Sequence, residues 1–171
     1  MHDTLTAYFD GEKRAGLLVA GVGLAVLAAA AVLFPARWGL RPFAITLAVG
    51  GLFELAVGVG LYLKTGPQVA KLVQQLASDP AAFYAAERAR MTVVQRNFVY
   101  LEFAWLALIG SSAVLALWKK QAPLASGIAL GLLLTVVVIL AFDIVAERRG
   151  AAYLDALNGP AAATPAAAAP R

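Results

Sequence analysis

Residues 78–118 read SDPAAFYAAERARMTVVQRNFVYLEFAWLALIGSSAVLALW, and this stretch organises the rest of the chain. It opens with Ser78-Asp79-Pro80, an N-cap acceptor followed by a proline, and only Gly110 interrupts it afterwards. A single helix over Pro80–Trp118 would be about 58 Å long, whereas a hydrocarbon core is about 30 Å thick. The N-terminal half is charged and the C-terminal half is apolar. We therefore predict one helix that starts in water, enters a membrane and carries Glu102 into it.

The composition of the whole chain also indicates a polytopic membrane protein. Hydrophobic residues make up 61% of its 171 residues and charged residues 14%, with a mean hydropathy of +0.77. Soluble domains have about 45–50% apolar and about 25% charged residues. There is no cysteine, and the only histidine is His2. We therefore expect no thiol chemistry, metal site or cofactor, and the net charge of +4 gives no sign of a nucleic-acid partner.

Four apolar runs separated by turn signals predict an all-α fold, a four-transmembrane-helix bundle in a lipid bilayer. The predicted spans cover about 15–34, 42–63, 97–118 and 124–146, with a cytoplasmic helical region over 67–96. By domain, the chain divides into an N-terminal segment (1–14), a four-helix membrane domain (15–157) and a disordered Ala/Pro tail (158–171). The first run also resembles a signal peptide, but its length exceeds the roughly 7–15 residues of a signal h-region, which favours a retained span.

Two shorter segments need a separate interpretation. The apolar side chains of the N-terminal segment, Leu5, Tyr8 and Phe9, are expected on the membrane surface. Thr65-Gly66-Pro67 is predicted to end the second span and to start a separate amphipathic helix over Gln68–Ala77. That helix would either lie on the membrane surface or pack against the extensions of spans three and four.

The distribution of lysine and arginine predicts the orientation. Ten of these residues fall in the N-terminus, the 64–96 connection and the C-terminus, and four fall in the two remaining turns. Because cytoplasmic loops carry an excess of Lys and Arg, both termini should be cytoplasmic and the chain should lie in the inner membrane. The helical extensions of spans three and four then also lie on the cytoplasmic side.

Three carboxylates fall within the predicted spans: Glu54, Glu102 and Asp143. A charge in mid-membrane costs at least about 2.5–3.5 kcal/mol, so each must be protonated, paired or turned toward a wet cavity. The predicted supporting residues are Arg96, Asn97 and Trp105. These residues form either a proton- or cation-binding site, with Glu102 and Asp143 facing each other, or a structural arrangement in which Arg96 or nearby amides hold the carboxylates.

A second charged set lies on the extensions of spans three and four: Glu87, Arg88, Arg90, Glu147, Arg148 and Arg149. If the extensions are antiparallel neighbours, Glu87 should meet Arg148 or Arg149, and Glu147 should meet Arg90. The set is then either a solvated charged face or a docking surface for a partner.

Small residues form two further stripes, Gly50 and Gly58 on span two and Gly127 and Gly131 on span four. Such faces let helices approach closely in lipid. They predict close helix packing, and also self-association as a homo-oligomer or assembly as a subunit of a membrane complex.

No phosphate-binding glycine loop, HExxH or GxSxG motif occurs, so we expect no enzymatic activity. Two functional hypotheses follow. The first is a small membrane protein for proton- or cation-linked transport or conduction through the carboxylates. The alternative is a non-catalytic accessory or scaffold subunit of a membrane complex.

Overall fold

The structure, a computed structural model, describes residues 1–36, 38–118 and 122–159. Its elements are α1 (His2–Ala36), a 3-10 turn (Trp38–Leu40), α2 (Arg41–Ser78), α3 (Pro80–Trp118) and α4 (Pro123–Asn158). Each of the four α-helices is long and apolar enough to cross a membrane. The predicted all-α class and the four candidate spans are thereby confirmed. Apart from Asn158 and Gly159, the predicted disordered tail lies outside the described residues.

The long helix predicted over Pro80–Trp118 is confirmed as α3. Its N-cap is Asp79, whose Oδ1 accepts a hydrogen bond from the backbone N–H of Ala82 at 3.0 Å. The N–H of Asp79 also donates to the carbonyl of Gln75 at 2.9 Å and closes the last turn of α2. A single residue therefore links α2 to α3, and the chain folds back on itself there.

The predicted break at Thr65-Gly66-Pro67 was wrong, because α2 continues through it to Ser78 without interruption. Pro67 lacks an N–H and so deprives one carbonyl of the preceding turn of its donor. The Thr65 hydroxyl donates to the Leu61 carbonyl at 2.6 Å and so provides a side-chain bond within the same segment. The amphipathic stretch is therefore the end of α2, and its Val69, Leu72, Val73 and Leu76 pack inward against the other helices.

The expectation that Leu5, Tyr8 and Phe9 lie on a membrane surface was also wrong. Helix α1 begins at His2, and all three side chains are buried. They pack with residues of α3 and α4 in one hydrophobic cluster, which we call the basal core: Leu5, Tyr8, Phe9, Phe83, Met91, Tyr153 and Leu157. The end of the molecule that contains this cluster is the basal end.

The four helices run alternately up and down. α1 packs along α2 and α3 packs along α4, and α2 also contacts α4, whereas α3 makes few contacts with α2. The register between α2 and α4 is parallel, since Gly127 lies against Pro42, Gly131 against Thr46 and Gly50 against Thr135.

Small residues dominate the buried positions of the predicted spans, which together we call the apolar half. On α1 and α2 the close contacts join Gly16 with Gly58 and Gly23 with Gly51. A Cβ added at Gly16 would lie 2.8 Å from the carbonyl oxygen of Gly58, so the two backbones touch. The larger side chains of this half point outward, and many remain exposed, among them Leu24, Val49 and Phe103.

Candidate functional site

Glu54 is the most enclosed carboxylate of the apolar half. It lies on α2 with only 2% of its surface exposed, and its Oε2 has no hydrogen-bond partner among the described residues. Helix α1 approaches it at Gly23, where an added Cβ would lie 3.0 Å from the Cβ of Glu54. No salt bridge to Glu54 occurs in the described parts of the chain. An ionised carboxylate would be costly in this position, so a bound proton or cation fits it better.

Asp143 lies on α4 and faces α3. Its Oδ2 accepts a hydrogen bond from the indole Nε1 of Trp105 at 2.6 Å. An indole is a donor only, so this short bond orients the carboxyl group without neutralising it. The predicted role of Trp105 beside the carboxylates therefore has a defined contact, and the partner is Asp143 on the opposite helix.

Glu102 also faces α4. Its carboxyl group lies beside that of Glu147, with Asp143 as a further neighbour. We call Glu102, Asp143 and Glu147 the inner acidic group. Carboxylates this close repel each other unless a proton or a cation lies between them. The structure thus brings Glu102 and Asp143 to one level, and it adds Glu147, which we had assigned to the charged face instead.

Arg96 and Asn97 do not join this group. Both are exposed, and Arg96 forms no salt bridge with any residue that the structure describes. The reason is helical geometry. Arg96 lies six positions before Glu102 and Asn97 lies five positions before it. At about 100° per residue, both side chains therefore point more than about 100° away from Glu102 around α3. Their predicted role as partners of the carboxylates is not observed.

A cleft of about 280 Å³ lies among α2, α3 and α4 and contains further polar groups. Thr135 and Trp105 line it together with Gly50. The Thr135 hydroxyl is buried with no hydrogen-bond partner among the described residues, and an added Cβ at Gly50 would overlap it. Sequence reasoning missed Thr135, although its spacing of four from Gly131 continued the stripe that begins at Gly127.

Ser112 on α3 was missed as well. It is buried, and its hydroxyl has no partner within the described residues. It is the only buried residue that the structure describes in the apolar half of α3. Its local sequence carries no signal that distinguishes it from the adjacent, exposed Ser111.

At the basal end, Glu87 is buried rather than available to a partner. Both of its carboxylate oxygens accept hydrogen bonds from Arg90, from Nε at 2.7 Å and from Nη2 at 2.6 Å. The Tyr153 hydroxyl donates to the same carboxylate at 3.2 Å. The predicted pairs of Glu87 with Arg148 or Arg149 are therefore not observed, because Arg90, one turn further along the same helix, satisfies it.

The other members of the charged set bind backbone groups or remain in solvent. Arg88 Nε donates to the Leu157 carbonyl at 2.8 Å, and Arg149 Nη1 donates to the Gly11 carbonyl at 2.6 Å. Arg148 is exposed. The backbone carbonyl of Glu147 accepts from Gln95 Nε2 at 3.2 Å. The predicted Glu147–Arg90 pair is absent from the described residues, and the set serves mainly to join α1, α3 and α4.

Two tyrosines extend the Glu87 network to α1. Tyr8 stacks on Tyr153 with ring centroids 4.4 Å apart and planes 5° apart, and its hydroxyl donates to Glu12 at 2.8 Å. Burial is the main cause that raises the pKa of both Tyr8 and Tyr153 above the ordinary value of 10.0, and nearby carboxylates raise it further. The hydrogen bond to Glu87 raises the pKa of Arg90, so this guanidinium stays charged.

Gly50, Gly58, Gly127 and Gly131 all lie in contacts within the chain. Gly58 meets Gly16 and Ala20 of α1, and the other three join α2 to α4. These faces are therefore occupied inside one chain, which leaves no room there for a helix of a second copy. The glycines with open space around them lie elsewhere: Gly21, Gly39, Gly60, Gly66 and Gly110.

Across the ranges that the structure describes, no group of three or more His, Cys, Asp or Glu side chains is arranged to hold a metal ion. Comparison of the chain with protein-family models, with curated proteins and with solved structures gives no match. The site must therefore be interpreted from its own geometry.

Proposed function

We propose that the chain is a small integral membrane protein for proton- or cation-linked transport or conduction, with Glu54 and the inner acidic group as its binding positions. The observation that carries the proposal is the burial of Glu54 with an unpartnered Oε2 and no cationic side chain paired with it. Such a group in the apolar half holds its proton or exchanges it for another cation.

Polar groups lie between Glu54 and the inner acidic group. Thr135 is held against Gly50, one turn along α2 from Glu54, and Trp105 lines the same cleft and donates to Asp143. A proton relay needs such groups at successive positions along a pathway. Glu102 and Glu147, near the basal end, would exchange protons with water.

The orientation in this proposal places the basal end and both termini in the cytoplasm, and the apolar half in the inner membrane. The ten-to-four distribution of Lys and Arg supports this orientation. The inner acidic group would then receive protons from, or release them to, the cytoplasm.

The direct test is proton flux in liposomes that contain the purified protein and an internal pH-sensitive dye. A pH gradient should collapse faster than in protein-free liposomes. Glu54→Gln should return the rate to that of protein-free liposomes, and Asp143→Asn should lower it. Asp155→Asn, an exposed change at the basal end, is the matched control and should leave the rate unchanged. A wild-type rate equal to that of protein-free liposomes, or full activity of Glu54→Gln, would reject the proposal.

A second candidate function is supported by the apolar half of α3. Only 6% of the residues in an 18-residue apolar segment of this helix are buried. The helix exposes Tyr100, Phe103 and Leu117. A membrane complex could cover this face, either with a second copy of the chain or with another subunit. Since the chain has no cysteine, Phe103→Cys can test the second copy by oxidative cross-linking in membranes, with the exposed Leu17→Cys on α1 as control. A dimer that forms equally well through both positions would count against a specific α3 interface.

A further inference from the structure

A groove separates α1 from α4 near the basal end of the apolar half. Its volume is about 560 Å³, within the usual range of small-molecule sites. Helix α1 packs mainly on α2, and α4 packs mainly on α3 and α2, so the two helices touch only lightly along this side. The residues that matter here are Gly11, Arg14 and Leu18 of α1 and Phe142, Val145 and Arg149 of α4.

Both charged residues of the groove are arginines. Arg149 joins α4 to α1 at one edge of the groove, since its Nη1 donates to the Gly11 carbonyl. Its Nε is buried and has no hydrogen-bond partner among the described residues. Arg14 is exposed, and neither arginine takes part in a salt bridge within the described ranges. The nearest acidic residue on α1, Glu12, is bound by Tyr8. The mouth of the groove thus has two guanidinium groups that no carboxylate neutralises.

The wall of the groove is apolar and continues toward the middle of the apolar half. Leu18 lies one turn beyond Arg14, about 6 Å along the helix axis, and Phe142 lies about 10 Å beyond Arg149. Val145 lies between Phe142 and Arg149 and is exposed. In a bilayer the two arginines would lie at the depth of the headgroups and this wall at the depth of the acyl chains.

We propose that this groove binds an anionic phospholipid, with its phosphate between Arg14 and Arg149 and its acyl chain along Leu18, Phe142 and Val145. Guanidinium groups bind phosphate oxygens with two parallel hydrogen bonds. The exposed guanidinium of Arg14 provides such a pair of donors, and Arg149, which also lines the groove, adds a second positive charge. Basic pockets between membrane helices on the cytoplasmic side are suited to anionic headgroups. A soluble phosphate would satisfy the arginines but would leave the apolar wall uncovered. This inference is independent of any transport activity.

The test measures lipid retention by the purified protein in mild detergent, with native mass spectrometry and added phosphatidylglycerol or phosphatidylcholine. Both lipids carry the phosphate, but the choline cation of phosphatidylcholine offsets its charge beside the two arginines. We therefore expect one phosphatidylglycerol to be bound about tenfold more tightly than phosphatidylcholine. Arg14→Gln should abolish this preference. Arg148→Gln removes an adjacent exposed charge that does not line the groove, and it should have no effect.

Arg14→Gln is the decisive variant, because the Arg14 side chain is exposed and takes part in no salt bridge within the described residues. Arg149→Gln also breaks the bond to Gly11, so its elution profile and melting temperature must match those of the wild type before its lipid binding is interpreted. Equal binding of the two lipids, or an unchanged preference in Arg14→Gln, would overturn the proposal. An affinity for the water-soluble headgroup glycerophosphoglycerol equal to that for the lipid would also overturn it, because the acyl chain would then contribute nothing.

Discussion

The basal core and the apolar half pack in opposite ways. In the basal core the buried side chains are large, and Phe9, Phe83 and Tyr153 are almost fully covered by the protein. In the apolar half the buried positions are mostly glycine, alanine and threonine, while residues as large as Leu24 and Phe103 point outward. The first pattern is expected where water drives apolar side chains inward. The second is expected where the surroundings are as apolar as leucine, so that helices gain mainly from close contact.

The change from one packing pattern to the other can be located on α4. On α4 it falls between Thr135 and Gly150, since Thr135 packs on a glycine and Gly150 packs beside Met91 of the basal core. The inner acidic group lies in the same interval, at Asp143 and Glu147. Glu102, Asp143 and Glu147 thus lie where the packing changes from small to large buried residues.

The largest expected effect comes from filling a glycine contact of the apolar half. In Gly58→Leu the new side chain would overlap the backbone N of Ala20, and its Cβ would lie 2.5 Å from the Gly16 carbonyl oxygen. We expect the free energy of unfolding to fall by at least about 3 kcal/mol, because a rigid backbone cannot move aside as a side chain can. Gly60→Leu is the matched control, since nothing lies within 4 Å of its added Cβ. The two variants are compared by their yield of monodisperse protein in size-exclusion chromatography. Equal yields would show that the α1–α2 contact is not close.

A smaller effect is expected from the basal end. Glu87→Ala leaves the Arg90 guanidinium without its carboxylate and removes the acceptor of the Tyr153 hydroxyl. We expect the free energy of unfolding to fall by about 2 kcal/mol. This is less than for a fully buried ion pair, because 35% of the Arg90 side chain is exposed to solvent. Thermal unfolding in detergent checks this value, with the exposed Asp155→Ala as control. Unfolding temperatures that agree within error for the two variants would mean that the network adds nothing to stability.

The smallest expected effect is a pH dependence of the unfolding temperature that arises from two tyrosines of the basal end. Burial raises the pKa of Tyr8 and Tyr153, so the folded state favours their neutral forms. This contribution is complete below the ordinary tyrosine pKa of 10.0 and is lost as the pH rises above it. The unfolding temperature should therefore fall above about pH 10. The fall should be shallower in a Tyr8→Phe, Tyr153→Phe double variant and unchanged in Tyr100→Phe, whose side chain is exposed in the apolar half. A steep fall in the double variant would assign the effect to other groups.

Local signals were sufficient to predict most helices. Asp79-Pro80 begins α3, and the absence of proline thereafter predicted its full length correctly. The same kind of signal failed at Pro67, because the last turns of α2 are held by packing against the basal core rather than by local preference. Tertiary contacts of this kind outweigh one missing backbone hydrogen bond.

The candidate site was only partly predictable from the sequence. The sequence predicted that Glu102 and Asp143 face each other, and the structure brings Glu102 beside Glu147 with Asp143 nearby. The stacking of Tyr8 on Tyr153 joins residues at opposite ends of the chain, and no local pattern reveals such a contact. The Glu87–Arg90 pair was within reach of sequence reasoning, since residues three apart on a helix are neighbours. We had instead paired Glu87 with the arginines of α4.

Cysteine accessibility most directly tests whether the apolar half separates two aqueous compartments with the basal end in the cytoplasm. The chain has no cysteine of its own, so single substitutions report single positions. Gly39→Cys lies in the turn between α1 and α2, Ser78→Cys lies at the basal end, and both native residues are exposed. In right-side-out membrane vesicles a membrane-impermeant maleimide should label Gly39→Cys at once and Ser78→Cys only after permeabilisation. Immediate labelling of both positions, or the reverse order, would contradict this arrangement.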